Sequence, residues 1–159
     1  CGSSDAGLKF WSWQLSKGLI EWGNMITGSC LCGQLSYELD ETKTEAQLHC
    51  HCRDCQKVTG SGKATIVMLP RENLKLSGEH KLYKSRGTDG SHVARGFCPI
   101  CGSQMLTFVE EIPDHVFVKA GTMDDSSWVK PEANCWHESE SSWSPVDPAL
   151  ISFDRNPPA

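Results

Sequence analysis

The sequence lacks the features that direct a protein to nucleic acid or into a membrane. Its 159 residues contain no basic run and carry a formal net charge of -5, which argues against a nucleic-acid partner because binding to phosphates depends on clustered cations. No apolar stretch approaches the roughly 20 residues of a membrane-spanning helix, and nothing resembles a secretory signal peptide. We therefore expect a single soluble, cytoplasmic domain with no nucleic-acid and no membrane partner.

Stretches long enough for a helix of ordinary length are also scarce. Short segments rich in β-branched and aromatic residues take their place, and glycine and proline separate them. This pattern predicts a mainly β domain with few or no long helices. The predicted strands lie at residues 35–39, 65–69, 81–84, 92–97, 104–109 and 115–120, and one or two helical turns are predicted at 54–59.

Cysteine, by contrast, is abundant. Nine cysteines could form either secreted disulfides or an intracellular metal site. Five of them lie in C-x-C or C-x-C-x-x-C clusters, whose members are poorly placed to bridge each other but well placed to share one ion. This spacing favours metal, and we predict two zinc ions per chain. The seven predicted ligands are Cys30, Cys32, Cys50, Cys52, Cys55, Cys98 and Cys101.

Two of the clusters, at residues 30–33 and 98–102, have the form of zinc knuckles in which a cysteine is followed by glycine. A glycine there permits a positive φ, which turns backbone N–H groups onto the sulfurs. Four sulfurs close the tetrahedral shell of a structural zinc, which would staple distant parts of a small β domain. The predicted ligands of this structural zinc are Cys30, Cys32, Cys98 and Cys101.

The remaining cluster supplies only three thiols, from Cys50, Cys52 and Cys55. Three protein ligands leave one coordination position open, which is typical of catalytic zinc. The alternative is that a histidine closes the shell and makes a second structural site. The candidates for that role are His49, His51 and His137.

The ligand charge indicates which chemistry the open position would favour. Three thiolates on a divalent cation leave a net charge of -1, so such a zinc would make hydroxide from water less readily than a three-histidine site. An incoming thiol suits it better, and we expect reaction of that thiol with a carbonyl carbon. Arg53 and Lys57 are expected either to lower the pKa of the thiol or to be solvated surface charges.

In four ordered motifs the sequence closely resembles the glutathione-dependent formaldehyde-activating enzyme family, whose domain also occurs in centromere protein V. The motifs lie at residues 28–37, 50–60, 96–103 and 120–124. The resemblance implies a β-tent fold of short antiparallel sheets stapled by a structural zinc site, and the same division of the seven cysteines into structural and catalytic sets. It further implies addition of glutathione to formaldehyde to give S-hydroxymethylglutathione, formally a carbon-sulfur lyase run in reverse.

The resemblance also sets the expected domain limits. We predict a family domain at residues 25–155, an extension outside it at 1–24 and a tail at 156–159. Asn134 stands where many family members carry histidine. Residues from 131 onward are expected to form an irregular arm over the surface, with Trp136 and Trp143 packed down and Cys135 a small buried residue.

Three functional hypotheses follow from these residues. The first is a zinc enzyme that joins a thiol, most readily glutathione, to formaldehyde or another small aldehyde, or cleaves the adduct. The second is a noncatalytic zinc-binding module that carries a thiol ligand or a protein partner. The third, with least support in the sequence, is a redox or metal-sensing role for the three-thiol site.

Overall fold

The computed structural model describes residues 24–158 and confirms a mainly β fold with a single α-helix in that part of the chain. The expectations for residues 1–23 lie outside the described residues. No described helix has the length and apolar character needed to cross a membrane. The elements are β1 (Met25–Ser29), β2 (Ser36–Asp40), β3 (Ala46–Cys50), α1 (Arg53–Thr59), β4 (Ala64–Pro70), β5 (Leu74–Ser77), β6 (Lys81–Arg86), β7 (His92–Phe97), β8 (Gln104–Val109), β9 (His115–Lys119), β10 (Ala133–Cys135) and β11 (Ile151–Ser152).

The predicted elements agree closely with the observed ones. Strands β7 and β8 have the predicted bounds, and α1 begins one residue before the predicted helical turns. Cys52 caps this helix by accepting a hydrogen bond from the Cys55 N–H, and Gly60 ends it in the left-handed conformation. The helix therefore owes its position to the cysteine cluster that it carries.

The strands form two sheets. The smaller has the order β1-β2-β5 and is antiparallel. The larger has eight strands in the order β11-β10-β3-β4-β9-β8-β7-β6. A core of apolar side chains, centred on fully buried residues such as Leu35, Val67 and Val118, joins strands of both sheets.

Two sequence-based expectations are corrected by the position of β10. This strand pairs in parallel with both β3 and β11, so the sheets are not wholly antiparallel. Residues after 131 also do not form only an irregular arm, because Ala133–Cys135 make a strand inside the larger sheet. Strand β10 is held by its pairing with β3, which its own three-residue sequence does not predict.

The register of the larger sheet sets the geometry of the site. Cys50 pairs with Ala64 on one side and with Cys135 on the other, so all three side chains share one face. A second buried cluster forms there and includes Cys52, Ile66 and Trp136. Helix α1 follows directly from β3 and places Cys55 against this face.

Candidate metal centres

The two predicted knuckles meet in space and form the four-cysteine cluster of Cys30, Cys32, Cys98 and Cys101. Their sulfurs all lie within 4.8 Å of one another, with 3.5 Å between Cys30 and Cys32 and 3.7 Å between Cys32 and Cys98. Four thiolates bonded to zinc at its usual distance are about 3.8 Å apart. The four sulfurs therefore have the spacing that a tetrahedral zinc requires.

Each knuckle closes by the same local turn. Gly33 and Gly102 both have φ of 75°, and each donates its N–H at 2.9 Å to the carbonyl of the first cysteine of its knuckle. The Leu35 N–H then donates to the Cys30 sulfur at 3.2 Å. The glycines thus have the predicted positive φ, because a side chain is strained in that conformation.

Ser103 links the two knuckles and adjusts the charge of one thiol. Its hydroxyl accepts a hydrogen bond from the Leu31 N–H at 3.0 Å and lies 3.3 Å from the Cys101 sulfur. Hydrogen bonds from the Ser103 side chain and backbone are the main causes that lower the pKa of Cys101 to about 5. Such a thiol is already a thiolate near neutral pH, as a zinc ligand must be.

The three-cysteine cluster of Cys50, Cys52 and Cys55 lies where β3 passes into α1. Its sulfurs are also within 4.8 Å of one another. Cys50 ends the strand, Cys52 caps the helix and Cys55 lies in its first turn. The Cys55 N–H donates to the Cys52 sulfur at 3.3 Å, so the helix start helps to hold negative charge on that atom.

The thiol pKa values in this cluster indicate that it suits a cation. Hydrogen bonds with Cys50 and then with Cys55 lower the pKa of Cys52 to about 2, whereas hydrogen bonds with Cys52 and then with Cys55 raise the pKa of Cys50. The three sulfurs therefore carry one negative charge easily and a second or third with difficulty, because like charges repel at this range. A divalent metal ion would remove that conflict.

Histidine nitrogens are not members of the three-cysteine cluster in the described part of the chain. His49 Nδ1 instead hydrogen-bonds to the Thr65 hydroxyl at 2.9 Å, and His137 Nε2 lies 3.5 Å from Glu140. His51 is fully buried, and neither of its ring nitrogens has a hydrogen-bond partner. The open coordination position stays a prediction. Of the three candidate histidines, His51 is the one with no hydrogen-bond partner on either ring nitrogen.

Two polar side chains fix the helix that carries this cluster. Gln56 is buried, and its Nε2 donates to the carbonyls of His51 at 2.6 Å and Ser139 at 2.8 Å. The buried Arg95 on β7 donates to the Asp54 carboxylate at 3.1 Å. The helix is therefore tied at once to its own cysteine loop, to the C-terminal segment and to a distant strand.

The cations expected beside the cluster lie at the surface, which is one of the two arrangements that the sequence left open. Arg53 and Lys57 are both exposed, and Arg53 Nη1 donates to the Gln56 side chain. A third cation, Lys119, lies at the end of β9. A hydrogen bond with Cys50 and the charge of Lys119 lower the pKa of the Cys55 thiol, but a hydrogen bond with Cys52 and burial outweigh them and raise it to about 11. Sequence reasoning missed Lys119, although it directly precedes the motif at 120–124.

The predictions made for the C-terminal residues have different outcomes. Asn134 is fully buried, and its Nδ2 donates to the Asp147 carbonyl at 2.9 Å and the Ser152 hydroxyl at 3.0 Å. Cys135 and Trp136 are buried as expected. The expectation that Trp143 packs down is wrong, since 70% of that residue is exposed. Asn134 therefore fastens the chain segments after β10.

Comparisons with known proteins agree with the cysteine pattern. The family model of the glutathione-dependent formaldehyde-activating enzyme matches residues 25–139, which contain all seven clustered cysteines. A Halomonas elongata protein whose name is that of the same enzyme is 26% identical over 128 residues, covering 77% of this chain and 82% of the relative. The crystal structure of a Rhodobacter sphaeroides protein superposes with a TM-score of 0.46 at 20% identity, over 62% of this chain and 87% of the other.

Proposed function

Since the chain belongs to the glutathione-dependent formaldehyde-activating enzyme family, we propose that it is a zinc-dependent enzyme of the carbon-sulfur lyase type. It joins glutathione, or another thiol, to formaldehyde or a small aldehyde and also cleaves the adduct. The observation that supports this proposal is the three-cysteine cluster, whose sulfurs converge at the start of α1 with no histidine nitrogen among them in residues 24–158.

The two clusters take different roles in this proposal. The four-cysteine cluster would hold a structural zinc, and the three-cysteine cluster would hold a catalytic zinc. When bound, the catalytic ion supplies a fourth coordination position at which the pKa of an incoming thiol is lowered. The chain itself fixes the ligand sulfurs, through the Cys55 N–H on Cys52 and the Gln56 bonds that hold the cysteine loop.

The proposed reaction needs no oxidant or reductant. In the forward direction the thiol sulfur forms a bond to the carbonyl carbon, the π bond of the carbonyl breaks, and its oxygen takes the proton that the thiol loses. Cleavage reverses each change. Because the uncatalysed addition is itself easy, the contribution of the protein lies in holding a thiolate next to the aldehyde in water at neutral pH.

The test is to measure the rates of adduct formation and breakdown by NMR exchange spectroscopy with glutathione and formaldehyde. Protein carrying two zinc ions should accelerate both rates above the uncatalysed background, and Cys52→Ser should return them to that background. Acceleration that is absent across several thiols and aldehydes would refute the enzymatic role, and acceleration that is unchanged in Cys52→Ser would refute the assigned site.

A noncatalytic binding module is the second candidate, and His51 is the observation that favours it. Its imidazole is fully buried, it lies between Cys50 and Cys52 in the sequence, and both of its nitrogens lack a hydrogen-bond partner. X-ray absorption at the zinc edge separates the candidates, because a bound imidazole gives outer-shell scattering that water or a thiol does not. Outer-shell scattering that His51→Leu removes would establish a closed site.

A further inference from the structure

A cavity of about 540 Å³ lies beside both cysteine clusters. On one side it is lined by Val58 and Thr59, which follow Cys55 by about one turn of α1, and by Ala64, which pairs with Cys50. On the other side it is lined by the knuckle residues 101–104 and by the end of β9. The cavity lining thus includes a direct strand partner of Cys50, although Cys50, Cys52 and Cys55 themselves are not part of it.

Lys119 is an unusual residue in the cavity wall because it is a largely buried cation that has no carboxylate partner among residues 24–158. Only 7% of it is exposed, and within residues 24–158 its ammonium group makes no hydrogen bond and no ion pair with a carboxylate. Burial of an uncompensated ammonium is costly, so proteins normally pair such a group. A ligand bound in the cavity would supply the missing anionic partner of Lys119.

The sheet register directs Lys119 to the same side as the three-cysteine cluster. It pairs with Ile66, which lies two residues along β4 from Ala64, the partner of Cys50. Because residues two apart on a strand share a face, the side chains of Lys119 and Cys50 project from the same face of the sheet. A ligand in the cavity can therefore contact Lys119 while its other end approaches the cluster.

Gln104 adds a second unused polar group to the same wall. Its Nε2 donates to the Leu106 carbonyl at 3.1 Å, but its buried Oε1 has no hydrogen-bond partner. An unsatisfied buried acceptor costs about 1–3 kcal/mol unless something donates to it. Because this Oε1 is closed off from solvent, a ligand in the cavity does not reach it, and recognition of a ligand carboxylate falls to Lys119.

We propose that Lys119 determines thiol specificity by binding a carboxylate of the substrate. This inference rests on the proposed function for the identity of the ligand as a thiol. The carboxylate pairs with the Lys119 ammonium, and the sulfur extends toward the three-cysteine cluster.

The test compares N-acetylcysteine with N-acetylcysteine amide, which lacks only the carboxylate. Calorimetric titration of the protein carrying two zinc ions should show that the acid binds at least about tenfold more tightly than the amide, as expected for a charged hydrogen-bonded pair. Lys119→Met should abolish this preference and leave the affinity for the amide within about twofold. Lys57→Met, on the exposed side of α1 and outside the cavity, should keep the preference.

The outcomes separate this inference from the proposed function. Equal preference for the acid in the parent protein and in Lys119→Met overturns the role of Lys119. Lys63 is the other lysine of the cavity wall. If Lys63→Met loses the preference for the acid and Lys119→Met does not, the role of Lys119 is overturned as well. If Lys119→Met removes the preference in binding while no thiol is turned over, the anion site stands and the enzymatic role fails.

Discussion

Gly33 and Gly121 both lie near the cysteine clusters but differ in backbone conformation. Gly33 has φ of 75° and ends the first knuckle, whereas Gly121 has no positive φ. A Cβ built on either residue would meet no atom within 4 Å. Any difference between alanine substitutions at the two positions must therefore come from backbone conformation and not from steric contact.

The substitution Gly33→Ala should lower the free energy of unfolding of the zinc-loaded protein by about 1–2 kcal/mol, the usual cost of a left-handed conformation for a residue with a side chain. Gly121→Ala, the matched control, should change it by less than about 0.5 kcal/mol. Urea denaturation monitored by tryptophan fluorescence measures both. Equal stability of the two variants would show that the knuckle does not require the positive φ.

At the residue scale, the grouping of the seven cysteines was predicted better than their surroundings were. The seven cysteines could be grouped from spacing alone, because metal ligands supplied by a knuckle must be close in the chain. Lys119 could not be found in this way, since its neighbours in the site come from α1, β4 and the second knuckle. Arg53 and Lys57 were predicted to lie at the site only because each is within two residues of a cysteine in the sequence.

At the scale of elements, the short helix α1 depends on a partner far away in the chain. It has seven residues, too few to be stable by itself in water. Its Asp54 receives a hydrogen bond from Arg95 on β7, and Arg95 also donates to the Ser85 hydroxyl at 2.7 Å. Because only 9% of the Arg95 side chain is exposed, its charge depends on this acceptor.

Asp54→Asn should therefore destabilise the zinc-loaded protein by about 1–3 kcal/mol, because it removes the negative partner of a nearly buried guanidinium group. The same change of charge at the exposed Arg155–Glu138 pair, made by Glu138→Gln, should cost less than about 0.5 kcal/mol. Thermal unfolding at equal zinc loading provides the comparison. A loss as small in Asp54→Asn as in Glu138→Gln would contradict this anchoring role.

Among the strands, those with alternating or β-branched sequences were predictable and the others were not. Residues 92–97 and 104–109 could be assigned as β7 and β8 because their local composition favours extended structure. Strand β10 has three residues, Ala133–Cys135, with no such preference. It is a strand because β3 and β11 bond to it on both sides, and this pairing is a property of tertiary structure.

For the whole molecule, the four-cysteine cluster acts as the junction between the two sheets. Cys30 and Cys32 follow β1 of the smaller sheet, and Cys98 and Cys101 follow β7 of the larger one. The three-cysteine cluster, in contrast, lies within the larger sheet and its attached helix. Loss of metal at the two clusters should consequently have different effects.

Cys98→Ser should unfold the domain, because it removes a ligand at the junction of the sheets. Cys52→Ser should lower the zinc content from two ions per chain toward one and keep the fold, since serine is also a good helix cap at that position. Metal analysis combined with circular dichroism measures both effects. Equal damage from the two substitutions would refute the division into structural and catalytic sites.

The junction between the sheets also sets an order of events during synthesis. The first knuckle leaves the ribosome 71 residues before Cys101, since 101 - 30 = 71. At about 5–20 residues per second, this interval lasts roughly 4–14 s. During this interval Cys30 and Cys32 lack the other two members of the four-cysteine cluster, and oxidation of either thiol would leave the cluster incomplete. Assembly of the proposed structural zinc site would therefore depend on a reducing environment while the chain is still being made.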